Sequence, residues 1–243
     1  MINQQDKPEE IMRVAVVENT GLSRLGPLGK ALDEAGAEIA IFRPFLDGAL
    51  PEDRQAHDAL VVLGGEQNAL DDARHPYLPA LARLMRSYGA ADKAVLGICL
   101  GAQILARGYG GTNILGTATE FGWHRVRATA AGSGDPVLGA AGAEFPIFQW
   151  HSDTFTLPDG AVHLAETGAV AHQAFRLGRA AYGTQFHFEA NRAVVAEWTQ
   201  AFPEAAEAIR PGWHRDHPVH AATHGPEADA AGLALARAWV ALI

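Results

Sequence analysis

The sequence predicts an α/β fold: a mostly parallel central sheet flanked by helices, with additional antiparallel strands in the second half. Three observations carry that expectation. Short β-branched, apolar runs alternate with helical stretches through the first half of the chain. Several of those runs are apolar at every position, as strands covered on both faces must be. Beyond Gly116 the helices give way to short, turn-bounded strands.

In order, MRVAVVEN (12–19) reads as a strand, and GPLGKALDEAG (26–36) as a helix stopped by Gly36. EIAIF (38–42) is a second strand, closed by Arg43-Pro44, and DALVVLGG (58–65) a third that ends in two glycines. HPYLPALARLMRSYG (75–89) is a helix, KAVLGI (93–98) a strand and LGAQILARGYG (100–110) a helix. FGWHRVRAT, EFPIFQW, AVHLAET, HQAFRLG and RAAYGTQFH then read as strands. Asn191 opens a helix to Phe202 as a cap. The last stretch from Gly225 is helical, with Leu233, Ala236, Trp239 and Val240 on one face. No internal repeat or long linker divides the chain, so one domain over 1–243 is expected, its core about 12–200, with a C-terminal loop and helix over 201–243.

Composition narrows the function. With 48% apolar and 19% charged residues the chain reads as an ordinary globular protein. A net charge of −9 repels phosphate backbones and argues against nucleic acid as a partner. One cysteine forms no internal disulfide, which points to a reducing, cytoplasmic compartment. The N-terminal stretch MINQQDKPEE has no apolar core and does not read as a signal peptide, and the apolar runs are too short or too glycine-rich to span a bilayer.

That single cysteine lies in VLGICLGAQ (95–103), where a strand-like run becomes a helix-like one. A lone cysteine is most often an inert core filler. Here Gly97 and Gly101 flank it in a G-x-C-x-G pattern, the build of a nucleophile elbow, in which a sharp strand-to-helix turn tolerates only very small neighbours. A helix beginning at Leu100 aims free N–H groups and a dipole at the sulfur, which favours the thiolate. The Leu100 N–H is also placed to receive an oxyanion. A thiol nucleophile needs a base and the base an orienting acid. His187 closes the run AYGTQFH, and Glu189, two residues on, points the same way on a strand edge. The order Cys99, His187, Glu189 differs from that of α/β-hydrolases, where the histidine comes last.

These segments resemble the class I glutamine amidotransferases, in particular stand-alone proteins similar to the amidotransferase domain of GMP synthase. The likeness rests on VVLGG (61–65), DDARHPYL (71–78), VLGICLGAQ (95–103), FGW (121–123), FQWHSDTF (148–155), QAFR (173–176) and YGTQFHFEA (182–190). It implies a flavodoxin-like fold with Cys99 as nucleophile, His187 as base and acid, and Glu189 as its orienter. By the same resemblance Gly65, with Gly64, forms the second side of the oxyanion hole opposite Leu100. Gln103 contacts the amino-acid end of the substrate, and the main chain around Ser152 and Asp153 helps to hold it. Two positions depart from the family pattern. Phe188 replaces a proline between the triad His and Glu, and Glu66-Gln67 stands where Pro-Met is common.

The chemistry so implied is hydrolysis of the glutamine side-chain amide through a γ-glutamyl thioester, with no metal or cofactor. The chain contains no phosphate-binding loop of an ATP-dependent synthetase. One reading is therefore a protein that feeds ammonia to a separate synthetase partner. The other is a self-sufficient hydrolase of γ-glutamyl amides or peptides, and a third is an idle binding protein on the same scaffold. WHRDHPVHAATHGP gathers His214, His217, His220 and His224, but it lacks a metal-ligand spacing and contains two prolines, so a polar loop is expected.

Overall fold

In the computed structural model, which describes residues 11–243, the chain folds around one nine-stranded sheet. The polar N-terminal stretch MINQQDKPEE lies outside the described residues. The elements run β1 (Arg13–Val17), α1 (Gly26–Glu34), β2 (Glu38–Phe42), α2 (Pro44–Asp47), β3 (Ala59–Val62), α3 (Leu78–Ala90), β4 (Ala94–Ile98) and α4 (Leu100–Gly108). Then come β5 (Asn113–Ile114), β6 (Glu120–Ala128), α5 (Ala130–Ser133), β7 (Glu144–His151), β8 (Thr154–Phe155), β9 (Val162–Glu166), β10 (Ala174–Leu177) and β11 (Ala181–Thr184). Three helices close the chain: α6 (Arg192–Ala201), α7 (Pro203–Ile209) and α8 (Trp213–Val240).

The sheet order is β2-β1-β3-β4-β11-β10-β9-β6-β7. β2, β1, β3, β4 and β11 are mutually parallel, while β10, β9, β6 and β7 extend the sheet antiparallel. The expected switch in the second half is therefore present. β11 returns to the centre to pair with β4, so the two halves form one sheet. β3 and β4 are buried at every position, whereas β2 is an edge strand and leaves Ile39 and Ile41 exposed. Leu28 and Leu32 of α1 pack with Leu235 and Trp239 of α8 on one face. Leu81 and Met85 of α3 pack with Ile104 and Leu105 of α4 on the other.

Two expectations need correction. The histidine-rich stretch is helical, the first turns of a 28-residue α8 that runs through Pro218 and Pro226. Each proline forfeits a helical donor, a cost of roughly 3 kcal/mol in a helix interior. Tertiary packing outweighs it. Trp213 is fully buried and donates through Nε1 to Thr199 Oγ1 at 3.0 Å, and the Glu207 carboxylate accepts from the Gly212 and His214 N–H groups at 2.7 and 2.9 Å. That carboxylate caps the helix and meets the positive end of its dipole. Further along, Leu235 replaces Leu233 in the buried row beside Ala236, Trp239 and Val240. Among the described residues no helix is long and apolar enough to cross a membrane.

Candidate active site

Cys99 sits between β4 and α4, at the C-terminal end of the central parallel strands, where open α/β sheets place their sites. Its φ of 53° and ψ of −109° lie outside the regions that L-residues ordinarily adopt. The surroundings hold it there. Its N–H donates to Thr184 O of β11 at 2.8 Å, and its carbonyl accepts the first helical bond, from Gln103 N, at 3.1 Å. The flanking glycines are steric necessities: a Cβ on Gly97 would run into the Gly101 backbone, and one on Gly101 into the Val62 carbonyl. The thiol, 7% exposed, points toward Trp150 O at 3.7 Å.

His187 faces it from the end of β11. The sequence places His187 on the strand edge; the structure ends the strand at Thr184 and carries His187 in an isolated bridge, its N–H donating to Phe148 O at 2.9 Å. The turn that follows still brings Glu189 back. Its Oε1 lies 2.7 Å from His187 Nδ1, with both side chains buried. The segment between them is clamped from two sides. Phe188 is 2% exposed in the core beneath α8, Gly232 of α8 lies so close that a Cβ would strike the Phe188 carbonyl, and a Cβ on Gly26 would strike that of Glu189. Packing of the Phe188 ring thus supplies rigidity that a proline would supply by fixing φ.

Burial by itself would push His187 toward the neutral form. The negative charge of Glu189, and then that of Cys99, outweighs the burial and holds the imidazole proton well above the ordinary histidine range. Trp198 adds an aromatic edge, its ring centred 5.1 Å from that of His187 at 80°.

Opposite the α4 N-terminus runs the loop after β3. A Cβ on Gly64 would lie 3.1 Å from His187 Cε1 and 3.5 Å from Cys99 Cβ, so no side chain fits between the loop and the pair. Gly65 is equally confined, by Gln67 and Asn19. The loop is tied by Asn19 Nδ2 donating to Leu63 O at 2.8 Å, and by Gln67 Nε2 donating to Asn19 O at 2.7 Å and to Tyr77 Oη at 3.1 Å. Gln67, one of the departures from the family pattern, therefore fixes the loop. Glu66 is exposed at the mouth and accepts from Thr20 Oγ1 at 3.1 Å.

All nine sequence-derived residues, Cys99, His187, Glu189, Gly64, Gly65, Leu100, Gln103, Ser152 and Asp153, line one cleft of about 670 Å³. Gln103 is buried and donates to Gln185 Oε1 at 3.2 Å. Asp153 Oδ1 accepts from Gly116 N at 2.7 Å, and Ser152 O from Ala118 N at 2.9 Å, so this strip is pinned to the loop before β6. The histidine-rich stretch stays apart. His220 stacks on Trp213 and accepts from Arg210 Nη2 at 2.8 Å, and none of the four histidines there lines the cleft.

Sequence reasoning missed a second buried histidine–carboxylate pair. His151 lines the cleft, with Nε2 at 3.2 Å from Glu120 Oε2 and Nδ1 at 3.1 Å from Asp153 O. Both ring nitrogens thus lie against protein oxygens, which fixes the orientation of the ring. Glu120 also accepts from Thr167 Oγ1 at 2.7 Å and from Gln173 Nε2. Burial opposes its charge, but the hydrogen bonds from His151 and Thr167 and the nearby histidines hold its carboxyl below the ordinary range. The only trace in the sequence is a Glu opening one strand and a His closing another; their pairing across β6 and β7 sets Glu120 opposite His151.

Fold and site together define an α/β protein with a strained, elbow-mounted cysteine facing a buried His–Glu pair across a glycine loop. The glutamine amidotransferase class-I family model matches residues 17–195. The chain belongs to that family. It is 30% identical over 181 residues to the glutamine amidotransferase-like protein YfeJ of Salmonella typhimurium, covering 73% of this chain and 76% of that one. It is 29% identical to γ-glutamyl peptidase 3 of Arabidopsis thaliana, with 68% of each covered. It is likewise 29% identical to the glutamine-hydrolysing GMP synthase subunit of Natronomonas pharaonis, covering 73% of this chain and 88% of the other. A glutamine amidotransferase from Thermotoga maritima shares the fold with a TM-score of 0.85 at 23% identity, covering 96% of this chain and 99% of that one.

Proposed function

We propose that the protein hydrolyses γ-glutamyl amides through a thioester on Cys99. The single observation that carries this reading is the convergence of a buried thiol, held at φ 53°, with a His187 whose proton is retained by Glu189 at 2.7 Å. The Cys99 thiolate attacks the side-chain carbonyl carbon of the γ-glutamyl group. The C–S bond forms as the carbonyl electron pair moves to oxygen, which the N–H groups of Leu100 and Gly65 receive. Collapse breaks the C–N bond, and His187 gives its proton to the departing nitrogen. Water, losing a proton to His187, then cleaves the thioester to release glutamate and restore the thiol.

Two readings share this chemistry. Similarity to the Natronomonas GMP synthase subunit favours ammonia release for a separate synthetase partner. The cleft, at about 670 Å³, exceeds what one glutamine needs and falls within the roughly 300–1,000 Å³ of pockets for larger ligands. Similarity to a γ-glutamyl peptidase points the same way, and self-sufficient hydrolysis of larger γ-glutamyl compounds is the better-supported reading. The test is glutamate release by the purified protein from glutamine and from γ-glutamyl amides, beside Cys99→Ala. Turnover by the wild type alone, with both proteins folded by circular dichroism, is expected. Wild-type turnover in folded Cys99→Ala would end the assignment.

A further inference from the structure

The cleft has two unlike ends. On one side of Cys99 lie the polar groups suited to an amino acid: the Leu100 N-terminus, Gln103 and the Ser152–Asp153 strip. On the other, beyond His187, the wall is apolar. Trp198 packs edge-on against the His187 ring at 5.1 Å, Trp150 against Trp198 at 6.3 Å and against Phe202 at 5.9 Å, and Ala205 and Ile209 carry the surface outward to the rim. The one polar atom of the Trp198 ring is already used, since Nε1 donates to Leu22 O at 2.9 Å. Arg24, which lines this rim, is engaged within the protein by Glu197 and by the Gly21 and Ser23 carbonyls. This side therefore offers ring faces and aliphatic surface rather than charge. Ile209, at 41% exposure, is an apolar side chain left uncovered at the opening.

Position gives this wall a role. In the proposed reaction His187 delivers its proton to the leaving nitrogen, so that nitrogen must come to rest against the His187 ring. Whatever it bears then extends past His187, and the first surface it meets is Trp198, followed by Phe202, Ala205 and Ile209. Trp198, Phe202, Ala205 and Ile209 all lie beyond residue 195, where the match to the family model ends. The groups around the scissile bond come from the shared segment, and this outer wall comes from α6, α7 and the residue between them.

We propose that Trp198, Phe202, Ala205 and Ile209 form a leaving-group subsite, and that the preferred substrates are γ-glutamyl amides whose amine carries an aromatic group. The proposal rests on the γ-glutamyl amide reading above. An aromatic ring there gains apolar burial and edge-to-face contact with the Trp and Phe rings, which ammonia cannot make. A cationic amine would find no free carboxylate on that wall, because Glu197 is engaged by Arg24.

The test compares γ-glutamyl-benzylamide with γ-glutamyl-ethylamide; benzylamine is the less basic leaving amine, so binding without turnover, and the change of the benzyl-to-ethyl ratio between variants, report on the subsite apart from bond reactivity. Binding is measured by tryptophan fluorescence on Cys99→Ala, and kcat/KM on the active enzyme. We expect the benzylamide to bind at least tenfold tighter and to show a correspondingly higher kcat/KM. Phe202→Ala and Ile209→Glu should each lower the benzyl-to-ethyl ratio at least fivefold, and Phe202→Leu should restore part of it. Circular dichroism checks that each variant is folded, and the exposed Ile209 provides a change that does not touch the core. Equal affinity for the two amides, or a ratio untouched by both substitutions, would overturn the subsite. Selective binding of the benzylamide by Cys99→Ala without wild-type turnover of any γ-glutamyl compound would uphold the subsite and sink the hydrolytic reading instead.

Discussion

Replacing Cys99 by glycine should give a more stable protein than replacing it by alanine, the reverse of the usual order. At φ 53° and ψ −109° the residue lies far even from the left-handed helical well, whose ψ is near +47°. The upper end of the range for strained backbone, about 3 kcal/mol, therefore applies to any residue with a Cβ. Glycine is free of that strain. Against it stand roughly 1 kcal/mol for the larger entropy of glycine in the unfolded chain and about 0.8 kcal/mol for a lost buried carbon. The balance favours glycine by about 1 kcal/mol, or roughly 2–4 °C in Tm for a chain of this size. Urea unfolding of the two variants at equal m-value, with neither releasing glutamate, is the measurement. Were the alanine variant as stable as the glycine variant, the elbow would not be storing strain, and the geometric case for Cys99 as a positioned nucleophile would fall with it.

His187→Ala should cost more activity than Glu189→Gln, since the acid orients the ring while the ring moves the proton; kcat for the two variants decides, and near-wild-type turnover in His187→Ala would transfer the base role to another group such as His151. Folded His187 keeps its proton to higher pH than the unfolded chain does, so its contribution to stability is complete below about pH 6.5 and is lost as pH rises through the raised value. The stability gap between wild type and Glu189→Gln should therefore shrink on going from mildly acidic to alkaline buffer, and a gap that widens would contradict the pairing. Glu120→Ala strips the shared hydrogen-bond partner from buried His151, Thr167 and Gln173 and should destabilise by about 1–3 kcal/mol, with Glu120→Gln milder and KM for glutamine raised as the Asp153 strip loosens; unchanged unfolding midpoints would rule out the buried pair.

The sequence by itself determined the class of fold and singled out the candidate reacting groups, because both are written in local patterns. Short runs apolar at every position, rich in β-branched residues and bounded by glycine, read as strands covered on both faces, and β3 and β4 are that. Glycine two residues to either side of Cys99 states that the backbone there is strained and crowded, and the contacts of Gly97 and Gly101 with the neighbouring main chain give the reason. Asn191 announced its helix by capping Val194 N at 3.0 Å. What depends on distant segments was not legible. The histidine-rich stretch carries two helix-breaking residues, and only the burial of Trp213 and the cap from Glu207 make it helical. Phe188 reads as the loss of a rigid proline until α8 is seen lying across it through Gly232. The Glu120–His151 pair exists only through the register of β6 on β7, and the aromatic wall only because α6 and α7 fold back over the cleft. Short-range sterics fix a turn or a strand from a few residues, but the partner of a buried charge and the far wall of a cleft are set by which elements meet in space.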